Sequence, residues 1–291
     1  MPYRHRVAAG ALCAAMLTGC VSATEADPEP GAGGADASKQ QAQRIQSAIA
    51  DCMKQQGFKY VAWVPEQDAL EEFDKASSGD YEAMRRERSS HGFGVFDLLA
   101  DPGGKRVVWS ESDSPNHTIK NELSDAQRAA YDKALTSCGN AAIKQVTGRV
   151  VTSEADRAEQ RNKLIDQTLE RELNGEPRLV ELAAAMGDCL KGKGYRVDSL
   201  KPVDLDRRGA REFEAQKRAL AMKDDIPERD LPEGRYYEPR LPQATAKQYL
   251  GREIKAALDD LECGRDFYAA YLPRKRAISA QVGDLFGGGG I

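Results

Sequence analysis

The chain has 291 residues, 41% of them hydrophobic and 30% charged, which is enough for about two folded domains with a highly charged surface. Its 42 basic and 46 acidic side chains give a formal net charge of −4. A nucleic-acid-binding protein needs a basic surface, so the composition argues against a nucleic-acid partner.

The first residues have the composition of an export signal. Arg4 and Arg6 give a basic start, and an apolar run over residues 7–17 follows. That run is shorter than the roughly 20 apolar residues that a membrane-spanning helix needs. The sequence therefore predicts a signal peptide over residues 1–19 that is removed on export.

The tetrapeptide LTGC follows the apolar run and ends at Cys20. It resembles the lipobox of bacterial lipoproteins, which implies cleavage before Cys20 and a diacylglyceryl group on the Cys20 sulfur. Two acyl chains hold a protein at a membrane, whereas one is marginal. We expect the mature protein to be lipid-anchored at the extracytoplasmic face of the cell membrane. The alternative is ordinary secretion with cleavage after residues 21–23.

Both ends of the mature chain have the composition of flexible segments. Residues 20–37 are rich in Pro, Gly, Ala and acidic residues and contain no Leu or Ile. Such a segment buries too little apolar surface to order itself, so we predict a disordered tether after the lipidated cysteine. Residues 287–291, GGGGI, are predicted to form a flexible tail.

The first folded stretch opens with a predicted helix. Ile45, Ile49 and Cys52 fall on one helical face, and Gly57 follows as a stop signal. Residues 58–64, FKYVAWV, then alternate and are rich in aromatic and β-branched side chains. That pattern predicts a short strand.

A turn, a second strand and a closing helix complete this stretch. The turn signal Asp-Pro-Gly-Gly lies at 101–104, and KRVVWS at 105–110 is the second predicted strand. Ser124 and Gln127 have the spacing of a capping box, which predicts the start of a helix that leads to Cys138.

The same plan occurs a second time. DCMKQQGFKY at 51–60 returns as DCLKGKGYRV at 188–197, each followed by a proline and later by a closing Cys-Gly pair. We interpret this as an internal repeat of two domain-sized units, 38–150 and 176–286. A capped helical pattern over 151–175 predicts a bridging helix between them.

The second unit repeats the elements of the first. Pro177 suits the first turn of its opening helix, and YRVDSL at 195–200 predicts a short strand. The last helix carries an apolar stripe towards Cys263: Leu250, Ile254, Leu258 and Leu261. The predicted fold class is therefore mainly α with short strands (α+β), built as two disulfide-stapled, mostly helical units.

The cysteines of the mature chain predict the staples. Besides Cys20, they are Cys52, Cys138, Cys189 and Cys263, and four cysteines allow three pairings. The repeat selects Cys52–Cys138 and Cys189–Cys263, and disulfides persist in the oxidising environment of an exported protein. A redox site would need a Cys-x-x-Cys motif and a zinc site would need closely spaced ligands, so we expect no cofactor and no metal.

A glycine-aromatic segment, HGFGVF at 91–96, is the strongest candidate for a binding loop, because glycines free the backbone next to aromatic side chains. The alternative is a buried turn with both of its phenylalanines in the core. The candidate residues of the binding surface are His91, Phe93, Phe96, Trp109, Tyr236 and Tyr237.

Carboxylates are plentiful, at 66–74, 224–225 and 259–260. A glycosidase needs two of them about 5–10 Å apart in a cleft. Carboxylates that alternate with Lys and Arg are more typical of solvated faces, so no catalytic residue is predicted.

The pattern IADCMKQQGFKY…HGFGVFD…YDKALTSCG resembles a diffuse class of actinobacterial (Streptomyces-like) lipoproteins and secreted proteins that have no assigned activity. The resemblance covers most of residues 45–140 and, more weakly, 179–264, where Cys-Leu replaces Cys-Met and the glycine-aromatic segment is missing. It implies a location and no mechanism.

Three functional hypotheses follow from these observations. The first is a non-enzymatic lipoprotein that contacts an envelope protein or the cell wall. The second is a lipoprotein that binds a small solute between the two units. The third is an envelope hydrolase that uses paired carboxylates.

Overall fold

The computed structural model describes residues 32–64, 71–103, 114–223 and 237–287. In chain order the helices of these ranges are α1 (Ala32–Gln55), α2 (Glu71–Ser77), α3 (Tyr81–His91), α4 (Asp97–Ala100), α5 (Pro115–Asn121), α6 (Asp125–Thr147), α7 (Glu154–Leu173), α8 (Pro177–Gly192), α9 (Pro202–Ala221), α10 (Gln243–Cys263) and α11 (Arg265–Asp284). The predicted α+β class with short strands is wrong, because no residue in the described ranges lies in a β-strand.

Extended backbone without a partner strand explains the false strand signal. Residues 195–200 alternate between half-buried and exposed, as a strand does, yet they pack against helices: Val197 lies over Gly187 of α8, and the Tyr195 hydroxyl donates to Asp259 of α10. At 58–64 the side-chain amide of Asn116 donates to the carbonyl of Val61 at 2.9 Å and accepts from its N–H at 2.8 Å. These are the backbone hydrogen bonds that a neighbouring strand would otherwise make. The predicted strand at 105–110 lies outside the described residues.

Helix starts and stops follow the local signals. Ser124 and Gln127 form the predicted capping box, and Pro177 occupies the first turn of α8. After the first helix of each unit, Gly57 and Gly194 adopt φ values of 80° and 86°, a left-handed conformation that favours glycine. α1 begins at Ala32, within the segment that we predicted as a tether.

The buried apolar side chains form three clusters. The N-terminal core joins α1 and α6 and consists of Ile45, Ile49, Met53, Tyr131, Cys138 and Ala142. The central core lies among α7, α8 and α11 and includes Leu169, Leu179, Met186, Leu190, Phe267 and Tyr271. The third cluster lies where α4 meets α9 and α10 and consists of Val95, Phe96, Phe213 and Ala256.

Both predicted disulfides are present, and they link equivalent helices of the two units. Cys52–Cys138 joins α1 to α6, and Cys189–Cys263 joins α8 to α10. The Cα atoms are 5.6 Å apart in each, and the pairing that the sequence repeat selected is the pairing in the structure. The closing glycines differ, since Gly139 is buried inside α6 whereas Gly264 separates α10 from α11.

The two units are interleaved in space. Helices α3 and α4 come from the first unit in the sequence, but they pack against α10 of the second. α1 reaches the end of α11, where the Ser38 hydroxyl donates to the Asp284 carboxylate at 2.6 Å. No helix in the described ranges is both long and apolar enough to cross a membrane.

Removing either disulfide should lower the free energy of unfolding by about 2–4 kcal/mol, because each closes a long loop and so restricts the unfolded chain. The paired replacements are Cys52→Ala with Cys138→Ala, and Cys189→Ala with Cys263→Ala. Urea unfolding followed by circular dichroism measures the loss. Peptide mapping without reduction is the control, and a cross-pairing between the two units would contradict the structure.

Candidate functional site

The glycine-aromatic segment lies between α3 and α4 and faces α9 and α10. Gly92 and Gly94 have φ values of 62° and 86°, which let the backbone turn sharply twice. A Cβ atom at Gly92 would lie 2.8 Å from Cγ of Glu253, so only glycine permits this close approach. We call residues 91–96 the glycine loop.

Glu253, on α10, holds the glycine loop in place. Its side chain is fully buried, and its two carboxylate oxygens accept three backbone N–H groups. Phe93 and Val95 donate to Oε1 at 2.8 Å each, and Phe96 donates to Oε2 at 2.9 Å. A charged acceptor strengthens each of these hydrogen bonds, so α10 holds the loop backbone firmly.

The environment of Glu253 also shifts its titration. Burial raises the pKa of the carboxyl above its ordinary value of 4.5, the three N–H groups lower it in part, and the nearby Asp97 raises it further. Asp97 itself lies 3.0 Å from Nδ1 of His91. The loop is therefore packed around one buried carboxyl, Glu253, whose pKa is raised above that of an exposed glutamate.

The predicted binding aromatics are used mainly for packing. Phe96 is fully buried and stacks on Tyr249 with ring centroids 4.8 Å apart. Phe93 is half-buried over Gly209 of α9, where the absence of a side chain makes room for its ring. The alternative of a buried turn thus describes Phe96, whereas Phe93 and Gly94 remain partly accessible.

Of the other candidate residues, His91 is part of the loop. His91 is half-buried beside Asp97, and Tyr237 is 40% exposed. Trp109 and Tyr236 lie outside the described residues. Of the six predicted residues, the structure brings together His91, Phe93 and Phe96.

A buried charged cluster lies behind the loop. The Asp260 carboxylate is fully buried and accepts from Arg88 at 2.7 Å, from Arg208 at 3.3 Å and from the Tyr268 hydroxyl at 2.5 Å. Burial and the Asp260 charge raise the pKa of Tyr268 far above its usual value, so this hydroxyl stays a donor. The Arg88 guanidinium lies 5.5 Å from the centre of the Phe93 ring and thus ties the cluster to the loop.

An open groove of about 620 Å³ separates the glycine loop from α9. Its lining residues are Phe93, Gly94 and Val95 on one side and Arg211, Glu214, Ala215, Lys217 and Arg218 on the other. We call this the α9 groove. The Lys217 ammonium spans it and donates to the carbonyl of Val95 at 3.3 Å.

The carboxylate pair at 259–260 is engaged by cations and hydroxyls. Burial acts to raise the pKa of Asp259, but hydrogen bonds from Lys255, Tyr195 and Lys193 lower it to about 2. An acid held in this charged form does not act as a proton donor near neutral pH. The candidate carboxylates at 224–225 lie outside the described residues, and no cluster suited to a metal ion occurs in the part of the chain that the structure describes.

Sequence reasoning missed Glu253 and the basic side of α9. A helical signal for Glu253 exists, because it lies four residues before Ala257 and seven residues from both Ala246 and Asp260, which are buried on the same face. An acid on a stripe of small buried residues is the pattern to look for. The basic residues of α9 gave no signal, since they alternate with acids along the helix.

Comparison with known proteins adds no relative: the chain matches no family model, no curated protein and no solved structure.

Proposed function

We propose that this protein is a cell-envelope lipoprotein, anchored through a lipid on Cys20, with a non-enzymatic binding role at the outer face of the cytoplasmic membrane. The observation that carries the proposal is the pair of long-range disulfides, Cys52–Cys138 and Cys189–Cys263. Structural disulfides persist in oxidising compartments outside the cytosol. A signal-like start that ends in the LTGC motif is consistent with the same location.

The glycine loop supports a binding role. Three hydrogen bonds to Glu253 fix its backbone, and the Cys189–Cys263 disulfide restrains α10, the helix that carries Glu253. A surface that is ordered in advance loses little conformational entropy when it binds a partner. We therefore place the contact with an envelope protein or the cell wall on the side of the molecule that presents this loop.

Replacement of the lipidated cysteine tests the location. We expect Cys20→Ser to move the protein from the membrane fraction to the medium, because a chain without acyl groups has no stable hold on the bilayer. Cross-linking on intact cells, read out by mass spectrometry, should then lose a membrane-protein partner that the native protein captures.

Cys13→Ser is the matched control, because it makes the same substitution inside the segment predicted to be removed. It should leave both the membrane fraction and the cross-links unchanged. A Cys20→Ser protein that stays in the membrane fraction, with its partner still captured, would contradict the proposal.

The second candidate, a lipoprotein that binds a small solute, is favoured by the α9 groove. Its volume of about 620 Å³ lies within the range of about 300–1,000 Å³ typical of small-molecule sites. One wall comes from residues 93–95, in the first unit of the repeat, and the other comes from α9, in the second. Small-angle scattering that stays unchanged across a broad metabolite panel, with no heat of binding, would remove this candidate.

A further inference from the structure

We propose that the α9 groove binds a small multivalent anion, a molecule that carries two or more phosphate or carboxylate groups. The inference rests on the binding role proposed above and names the ligand class of that surface. It follows from the charge of the lining residues, from the fixed wall opposite them and from the size of the groove.

Basic side chains outnumber acidic ones among the residues that line the groove. Arg211, Lys217 and Arg218 line it together with one acid, Glu214, whereas the whole chain carries a net charge of −4. Arg211 and Arg218 are seven residues apart on α9, which places them two turns and about 10 Å apart on one face. Two guanidinium groups at that spacing suit two separate acidic groups of one ligand, since each guanidinium pairs with a phosphate or carboxylate through two N–H bonds.

The existing ion pair of Arg211 leaves room for a ligand anion. The Arg211 side chain is 54% exposed, and its ion pair with Asp204 is long, at 3.3 Å. An exposed pair of this kind contributes little free energy, so an incoming anion competes with it easily. Lys217 is paired with Glu238 at 2.9 Å and also donates to the carbonyl of Val95. Its ammonium is therefore held beside the glycine loop.

The opposite wall is rigid and carries an aromatic ring. Glu253 fixes the backbone of residues 93–95, and the ring of Phe93 packs over Gly209 and 6.0 Å from the ring of Phe213. The groove therefore combines a fixed apolar surface with basic groups on the facing helix. This combination suits a metabolite-sized anion with an apolar part, in a volume of about 620 Å³.

Calorimetric titration of the full-length protein in detergent micelles tests the ligand class. The probes are pyrophosphate and citrate as multivalent anions, inorganic phosphate as the smallest anion, and glucose as a neutral solute. We expect pyrophosphate or citrate to bind more tightly than phosphate, with an affinity that falls as sodium chloride is added. Glucose should give no heat, and an absence of heat with every anion would overturn the inference.

Variants separate a built site from a general electrostatic attraction. Arg211→Gln with Arg218→Gln should weaken anion binding about tenfold or more, because hydrogen bonds between charged groups are the strong ones. The matched control removes the same charge at two exposed arginines elsewhere, Arg171→Gln with Arg196→Gln, which are 65% and 84% exposed. The control should change the affinity less than about twofold, since distant exposed charges are screened. Equal weakening by both pairs would overturn the site.

A third variant blocks the groove without any change in charge. Ala215→Trp places a large ring among the lining residues and should abolish binding, while its circular dichroism melt stays near that of the native protein because Ala215 is exposed. Full binding by Ala215→Trp would contradict the site. An anchored protein that binds no anion refutes this inference alone, whereas anion binding by a protein that is not anchored refutes the proposed location alone.

Discussion

Glu253→Ala should lower the free energy of unfolding by about 3–5 kcal/mol, one of the two largest single-residue effects that we expect in this protein. The substitution leaves the N–H groups of Phe93, Val95 and Phe96 without their acceptor, and a buried donor that loses its partner costs about 1–3 kcal/mol. Urea unfolding followed by circular dichroism measures the loss. Because the same bonds hold one wall of the α9 groove, anion binding should weaken in parallel.

The control for Glu253 lies on the same helix. Glu262 also carries a carboxylate on α10, but its side chain is 65% exposed and pairs with Lys193 at the surface. Glu262→Ala should change the stability by less than about 1 kcal/mol, as is usual for exposed ion pairs. Similar losses of unfolding free energy in the two variants would mean that the hydrogen bonds to the glycine loop stabilise the fold no more than an exposed ion pair does.

The raised pKa of Glu253 makes its contribution depend on pH. A folded-state pKa above the unfolded value means that the native state binds the proton more tightly. This stabilisation is complete at pH values below the pKa of the carboxyl in the unfolded chain, near 4.5. It is lost as the pH rises through the higher pKa of the carboxyl in the folded protein. Glu253→Gln cannot titrate, so the stability of the native protein relative to this variant should fall across that window and then stay constant. A stability difference between the native protein and Glu253→Gln that rises with pH in this window would contradict the raised pKa.

Asp260→Ala should cost about 3–5 kcal/mol of unfolding free energy, because it leaves buried cations without their counter-charge. Arg88 and Arg208 both donate to this carboxylate, and Tyr268 adds a third hydrogen bond. Burial acts to lower the pKa of Arg88, but Tyr268 and Asp260 more than offset it, so the guanidinium stays charged. Thermal and urea unfolding should both move in the destabilising direction.

A double-mutant cycle isolates this effect from simple loss of volume. Arg88→Met combined with Asp260→Leu removes both members of the closest pair and should cost clearly less than the sum of the two single variants. Asp188→Ala serves as the matched aspartate control, since its side chain is 76% exposed and pairs with Lys191 at the surface. Additive single effects would show that Arg88 and Asp260 are not coupled.

Local signals in the sequence were sufficient for several helix ends, and the repeat was sufficient for the disulfides. A capping box at Ser124, a proline at 177 and glycines at 57 and 194 act within one turn of the chain, so they hold in any tertiary context. The disulfide pairing was predictable because the repeat assigns equivalent positions to the cysteines. Location and ligand stay predictions, since they depend on a lipid and on a partner.

The alternation of side chains at 58–64 and 195–200 misled the fold class for a physical reason. Period-two alternation reports an extended backbone with one buried side, and it carries no information about a hydrogen-bonding partner. Here the buried side packs on helices, and the amide of Asn116 bonds to the backbone of Val61. A strand exists only when a second strand pairs with it, and that is decided in three dimensions.

The sequence by itself determined several helix starts and ends and the cysteine pairing, whereas the tertiary structure alone decided which face of α10 is buried and where the groove lies. The predicted stripe included Ile254 and Leu258, yet both are half-buried while Glu253 and Asp260 are fully buried. A buried carboxylate is stable only if hydrogen-bond donors surround it. The glycine loop supplies the donors for Glu253, and Arg88 supplies one for Asp260. These donors lie more than 150 residues earlier in the chain than the acids. Hydrophobic periodicity measures one helix at a time, so it cannot anticipate partners that only folding brings together.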